Sequence, residues 1–108
     1  MKFSFKDKKL RQYCENQRKA DRKLGSDSGK KLRTRLAELE AASCVGELAA
    51  GRPHPLKGDR AEEFSLDLAG GARLLFTPNE PIPLREDKSI DWPQVADVMI
   101  TYIGDHHD

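Results

Sequence analysis

Leu56-Lys57-Gly58-Asp59-Arg60-Ala61-Glu62-Glu63-Phe64-Ser65-Leu66-Asp67-Leu68 is followed, after Gly70-Gly71, by Arg73-Leu74-Leu75-Phe76. Phe64, Leu66 and Leu68 alternate with Ser65, Asp67 and Ala69, the period of a strand with one covered face. Two glycines in a row tolerate positive φ, so a hairpin turn is predicted at 70–71, with 73–76 as the returning strand. Upstream, Gly51, Pro53 and Pro55 stop any helix that arrives from the N-terminal side. This hairpin is the anchor from which the rest of the chain is read.

Working back from it, Leu32, Leu36, Leu39 and Ala42 or Ser43 recur at helical spacing, and Asp27 or Ser28 can cap that helix. A further helical turn is predicted over 45–50. Leu10, Tyr13, Cys14, Gln17, Ala20 and Leu24 recur at steps of three and four, which predicts one amphipathic helix after Asp7, ending at Gly25. Phe3 and Phe5 alternate with polar neighbours, a short strand. Working forward, residues 77–94 carry four prolines and form a long loop with Trp92 as a packing anchor. Residues 95–103 form a last strand, with Val98, Ile100 and Tyr102 on one face and Met99 and Ile103 on the other. A strand apolar on both faces belongs inside a sheet. The fold class is α+β: two N-terminal helices packed on a mostly antiparallel sheet of about four strands, in the order β-α-α-β-β-β, with residues 1–108 as a single domain.

The 108 residues are 37% hydrophobic and 34% charged, which suits a globular chain better than a disordered one. No apolar run reaches the ~18 residues of a membrane span, and the start lacks an apolar signal region, so a cytoplasmic location is expected. Cys14 and Cys44 show no metal spacing and are expected as reduced core residues. The net charge of +1 hides an asymmetry. Residues 1–36 hold 13 Lys/Arg against 4 Asp/Glu, a net +9, and the remainder nets −8. Lys8, Lys9, Lys30, Lys31, Arg33 and Arg35 are therefore candidates for a polyanion surface such as nucleic-acid phosphates, alongside a plain solvated helical face.

Several motifs are absent. Gly46 and Gly51 have the spacing of a phosphate loop, but Arg52-Pro53 follows in place of Lys-Ser/Thr. Three histidines, His54, His106 and His107, form no metal pattern, so no metal or other cofactor is expected.

The Leu56-Lys57-Gly58-Asp59-Arg60 block, the Arg73 strand and the tail Asp105-His106-His107 resemble HigB-like toxins of the RelE/ParE superfamily, also called plasmid-maintenance killer proteins. The resemblance covers most of the chain. It implies a type II toxin that cuts mRNA at the ribosome, a metal-independent endoribonuclease that inhibits translation. It also implies a HigA-like helix-turn-helix antitoxin, with DNA reached only through the toxin–antitoxin complex. Lys57, Arg60, Arg73, Asp105 and His107 match family positions, Lys57, Arg73, Asp105 and His107 as catalytic groups and Arg60 as an RNA contact. His106 stands where the family has tyrosine and can share the catalytic role. Ala72 stands where many members have tryptophan. Metal-free RNA cleavage needs a base for the 2′-hydroxyl, cations for the phosphoryl oxygens and an acid for the 5′ oxygen. Arginine, lysine and imidazole are suited to these tasks.

Two other readings remain open. A ParE-type non-enzymatic toxin would act on DNA gyrase, and a non-toxic nucleic-acid-binding regulator would use the basic half. Arg73 itself can be a structural residue paired across the hairpin with Asp67 or Glu63.

Overall fold

Asn16 decides the shape of the N-terminal third of the chain. In the computed structural model, which describes residues 1–105, its backbone leaves the helical region (φ −127°, ψ 106°) and its side-chain oxygen accepts from the Lys19 amide at 3.1 Å. Its own amide donates to the Gln12 carbonyl. The single helix expected here is therefore two, α1 (Lys8–Glu15) and α2 (Gln17–Leu24). Asparagine offers the backbone a competing side-chain acceptor, which makes it a better cap than interior residue. Leu10 and Ala20 still point to the core, so the apolar stripe survives the break.

Before them comes β1 (Lys2–Phe5), and after them α3 (Ser26–Ala41). Asp7 caps α1 by accepting from the Leu10 amide at 2.9 Å. Neither Asp27 nor Ser28 caps α3. Gly25, at φ 86°, precedes its first turn, and buried Ser28 instead donates to the Ala69 carbonyl at 3.0 Å, tying the helix to the hairpin. The turn expected over 45–50 shrinks to a 3-10 turn, Val45–Glu47.

Four more strands follow: β2 (His54–Pro55), β3 (Phe64–Asp67), β4 (Ala72–Pro78) and β5 (Asp97–Asp105). The sheet runs β1-β5-β4-β3-β2, with β1 parallel to β5 and every other pair antiparallel. The expected α+β class, with helices on a mostly antiparallel sheet and the last strand inside it, is observed. The counts are three helices and five strands rather than two and about four. β2 escaped notice because prolines flank and occupy it. Proline lacks the ladder donor and is tolerated only at an edge, where β2 lies.

The helices cover one face of the sheet. Leu74, Phe76, Leu66, Phe64, Val98, Ile100 and Ile103 meet Leu32 and Leu39 there. Trp92 is the anchor expected of it, with ring centroids 4.9 Å from Phe64 and 6.2 Å from Phe76. The loop before it folds back on itself through a Leu84–Ile90 bridge. At its tip, hydrogen bonds from Ser89 hold the Asp87 carboxyl below the usual range.

A bulge reassigns the faces of β5. Leu75 is opposite Tyr102, whereas Phe76 is opposite Ile100, leaving Thr101 as the extra residue. Val98, Ile100 and Ile103 therefore all reach the core, and Tyr102, expected beside Val98 and Ile100, is 36% exposed. Cys14 and Cys44 are free thiols, only half-buried. Burial, and then the Glu15 charge, pushes the Cys14 thiol up to about 12, which makes it a poor nucleophile.

Candidate functional site on the bare face of the sheet

Register assigns each side chain of β4 to one of the two faces, since residues directly opposite share a face and neighbours alternate. Ala72, Leu74 and Phe76 belong to the helix side. Arg73 therefore points to the other side, opposite Asp67 on β3 and Gly104 on β5. Ser65 lies opposite both His54 and Leu75, so it and His54 share that bare face with Arg73. In the sequence His54 is only a histidine between two prolines, with no pattern that ties it to the hairpin. Only the pairing of β2 brings it beside the hairpin.

The two carboxylates that the sequence offered as partners for Arg73 are engaged elsewhere, and only Asp67 lies opposite it. Asp67 accepts from Arg52 Nε at 3.0 Å, and Glu63 accepts from Arg60 Nε at 2.6 Å. Among the described residues Arg73 is in no ion pair. The cross-hairpin pairing that would have made it purely structural is not formed. Gly104, opposite it, has no side chain, and the Tyr102 ring lies over the place a Cβ there would take. A half-buried arginine outside any ion pair among the described residues is a candidate phosphate ligand.

His54 Nδ1 sits 2.7 Å from the Arg52 carbonyl. A carbonyl only accepts, so Nδ1 carries the proton and Nε2 of the neutral ring presents a lone pair. Between His54 and Leu75, fully buried Ser65 has an Oγ without a hydrogen-bond partner among the described residues. At the other end of the face, Glu63 also meets Thr101 Oγ at 3.5 Å.

The other residues singled out from sequence are distributed as follows. Lys57 is exposed, just before the 3-10 turn Gly58–Arg60. Its neighbour Leu56 bonds to Glu63, four residues along β3 from the Asp67–Arg73 row, or roughly 13 Å at strand spacing. Lys57 and Arg73 thus flank the face instead of sharing one point. Asp105 is opposite Ala72 and lines a cavity of about 400 Å³ with Lys23 and Ser28, on the side away from Arg73. His106 and His107 lie outside the described residues.

Lys8, Lys9, Lys30 and Lys31 are exposed on the helices, across the sheet from Arg73. Arg33 pairs with Asp21 at 3.3 Å. Arg35 departs from expectation: it is 7% exposed, its Nε donates to the Asp67 carbonyl at 3.0 Å and a terminal nitrogen meets Glu38 at 2.9 Å. It fastens α3 to β3 and is withdrawn from any phosphate surface, because its position on α3 faces the sheet. Among the described residues no group of His, Cys, Asp and Glu is arranged to hold a metal, and no helix is long and apolar enough to cross a membrane.

No protein-family model matches the chain, and no curated protein matches it in sequence. Solved structures do match in shape. A YoeB/ParE toxin from Agrobacterium tumefaciens superposes with a TM-score of 0.60 at 16% identity, over 99% of this chain and 100% of that one. A YoeB–YefM complex from Staphylococcus aureus gives 0.60 at 15% identity, and a YoeB dimer from the same organism 0.59 at 15%, each over 99% of this chain and 98% of theirs. At such identity the likeness concerns the fold: three helices on a five-stranded sheet, arranged as in these toxins.

Proposed function

We propose that this chain is the toxin of a toxin–antitoxin pair of the RelE/ParE type, near the HigB-like branch, and that it cleaves mRNA at the ribosome. The observation that carries the reading is Arg73, in no ion pair among the described residues on the face of a YoeB-like sheet away from the helices, while the Asp67 carboxylate opposite it is held by Arg52. In this reading His54 Nε2 takes the proton of the 2′-hydroxyl, and that oxygen attacks the adjacent phosphorus. Arg73 holds the phosphoryl oxygens as charge builds on them. An imidazole of the tail, His107 with His106 beside it, returns a proton to the departing 5′ oxygen. Lys57 and Arg60, further along the face, contact neighbouring phosphates. Asp105, directed to the opposite cavity, positions the tail and does not touch the phosphate. The product is a 2′,3′-cyclic phosphate and a free 5′-hydroxyl, with no metal or cofactor in the balance.

The partner in this reading is a HigA-like helix-turn-helix antitoxin, through which the pair reaches DNA, and the site of action is the cytoplasm. Induced expression is expected to arrest growth and shorten translated mRNAs. Arg73→Ala and His107→Ala are each expected to relieve both effects with an unchanged circular dichroism spectrum. Full toxicity of both variants would overturn the site. Inhibition of purified gyrase in a supercoiling assay, with mRNA left intact, would transfer the chain to the ParE-type reading.

A further inference from the structure

Asp67 stands opposite Arg73, yet its carboxylate belongs to another residue. The Leu68 amide donates to the Ala72 carbonyl at 2.9 Å, so that rung of the hairpin is hydrogen-bonded. The next rung, Asp67–Arg73, is therefore of the closely spaced kind, in which opposite side chains approach most nearly. Opposite charges so placed ordinarily attract each other and pair. Here Asp67 Oδ2 accepts instead from Arg52 Nε at 3.0 Å, and Arg73 is in no ion pair among the described residues.

Arg52 reaches Asp67 from an unusual backbone. Its φ is 49°, directly after Gly51 at 82°. Such a φ costs glycine little and is uncommon for a long side chain, so an arginine here carries strain that a glycine would avoid. A turn alone does not call for arginine at this position. The link 51–52 is stitched to the end of β3. The Asp67 amide donates to the Gly51 carbonyl at 2.7 Å, and Arg35 Nε donates to the Asp67 carbonyl at 3.0 Å. The Arg52 carbonyl in turn lies 2.7 Å from His54 Nδ1. One residue thus meets the imidazole through its backbone and occupies, through its side chain, the acid beside the guanidinium.

We propose that Arg52 is a positioning residue: its side chain keeps the Asp67 carboxylate off Arg73, and in its absence Asp67 turns to Arg73 and neutralises it. The purpose of this arrangement rests on the ribonuclease reading, whereas the exchange of partners does not. The Arg52 side chain is 66% exposed, and an ion pair screened by solvent in this way is weak. Removing it changes the partner of Asp67 without dismantling the strand.

The test removes the side chain alone. Arg52→Gly accepts the left-handed φ without steric cost, so the carbonyl stays on His54. Urea unfolding of a double-mutant cycle, Asp67→Asn with Arg73→Gln, reads the coupling between those two side chains. With Arg52 in place the coupling is expected within about twofold in the unfolding constant, as for groups that do not interact. In the Arg52→Gly background it is expected to reach about fivefold, the upper end for an accessible ion pair. Cleavage of mRNA is expected to fall about fivefold in Arg52→Gly and to recover when Asp67→Asn is added. Equal coupling in both backgrounds would overturn the proposal. So would an equal gain in cleavage from Asp67→Asn with Arg52 in place, since Arg52 would then not be what frees Arg73. Coupling that appears only without Arg52, in chains that cut no mRNA, would uphold the positioning and defeat the nuclease reading. Cleavage by the parent with no coupling in either background would do the reverse.

Discussion

On the helix side of β4, Ala72, Leu74 and Phe76 are sealed against Leu66, Phe64, Ile100 and Ile103. On the other side of the same strand, Arg73 stands beside Asp67 and in line with His54. The difference between the two faces is one of alternation alone: consecutive residues serve opposite environments, and a register slip of one would bury the guanidinium and expose the phenyl ring. The two arginines of this region teach the same lesson. Arg35 is longer in sequence from the hairpin than Arg73, yet it is the one consumed by structure, bonded to the Asp67 carbonyl and Glu38. Charge predicts attraction to phosphate only for a cation that the fold leaves unspent.

If the bare face is chemical and the covered face structural, substitutions on the two must separate activity from stability. His54→Gln is expected to lower mRNA cleavage about 10²–10⁴-fold, the range for a general base, while urea unfolding stays within about 0.5 kcal/mol of the parent. Equal cleavage by the variant would remove His54 from the mechanism and leave Arg73 without a base on that face. Phe76→Ala, on the covered face of the same strand, is expected to cost ~3–5 kcal/mol in urea unfolding through the cavity it leaves between Phe64 and Trp92. A loss under 1 kcal/mol would mean the aromatic cluster is loosely packed.

Arg35→Met sharpens the contrast between the two arginines. It leaves a carbonyl and a carboxylate to find other partners and is expected to cost about 1–3 kcal/mol of stability, with the salt dependence of RNA binding unchanged. A fall in that salt slope would return Arg35 to the phosphate surface. The smallest effect belongs to Cys14. Its native thiol ionises at about 12, above its ordinary value of 9.0. The thiol is therefore protonated in the native state over a range where the unfolded chain has lost its proton. Its contribution to stability is full below pH 9 and declines as pH rises toward about 12. Cys14→Ala should flatten this part of the stability profile relative to the parent, and identical profiles would show that the thiol is not shielded.

Much of the fold was legible because hydrophobic period reports burial directly. The Phe64-Leu66-Leu68 alternation, the glycine turn and the leucines at 32, 36 and 39 each correspond to an observed element. The misses share a cause. Asn16 breaks the first helix while the apolar stripe runs on past it, so the period concealed the cap. β2 has two residues, too few for any period, and the bulge at Thr101 shifts the alternation partway through β5. For the site, Arg73 was reachable from its place in the hairpin and its resemblance to a toxin motif. His54 was not, since its only relation to Arg73 runs through Ser65 across two strand pairings.

Composition, periodicity and turn residues determined the class of fold and the presence of a basic N-terminal half, because these depend on each residue and its near neighbours along the chain. Which cations remain available and which histidine joins the hairpin were decided only by the tertiary structure. Those properties belong to contacts between residues distant in sequence, and strand register, which sets them, is a collective result of packing the whole sheet against the helices.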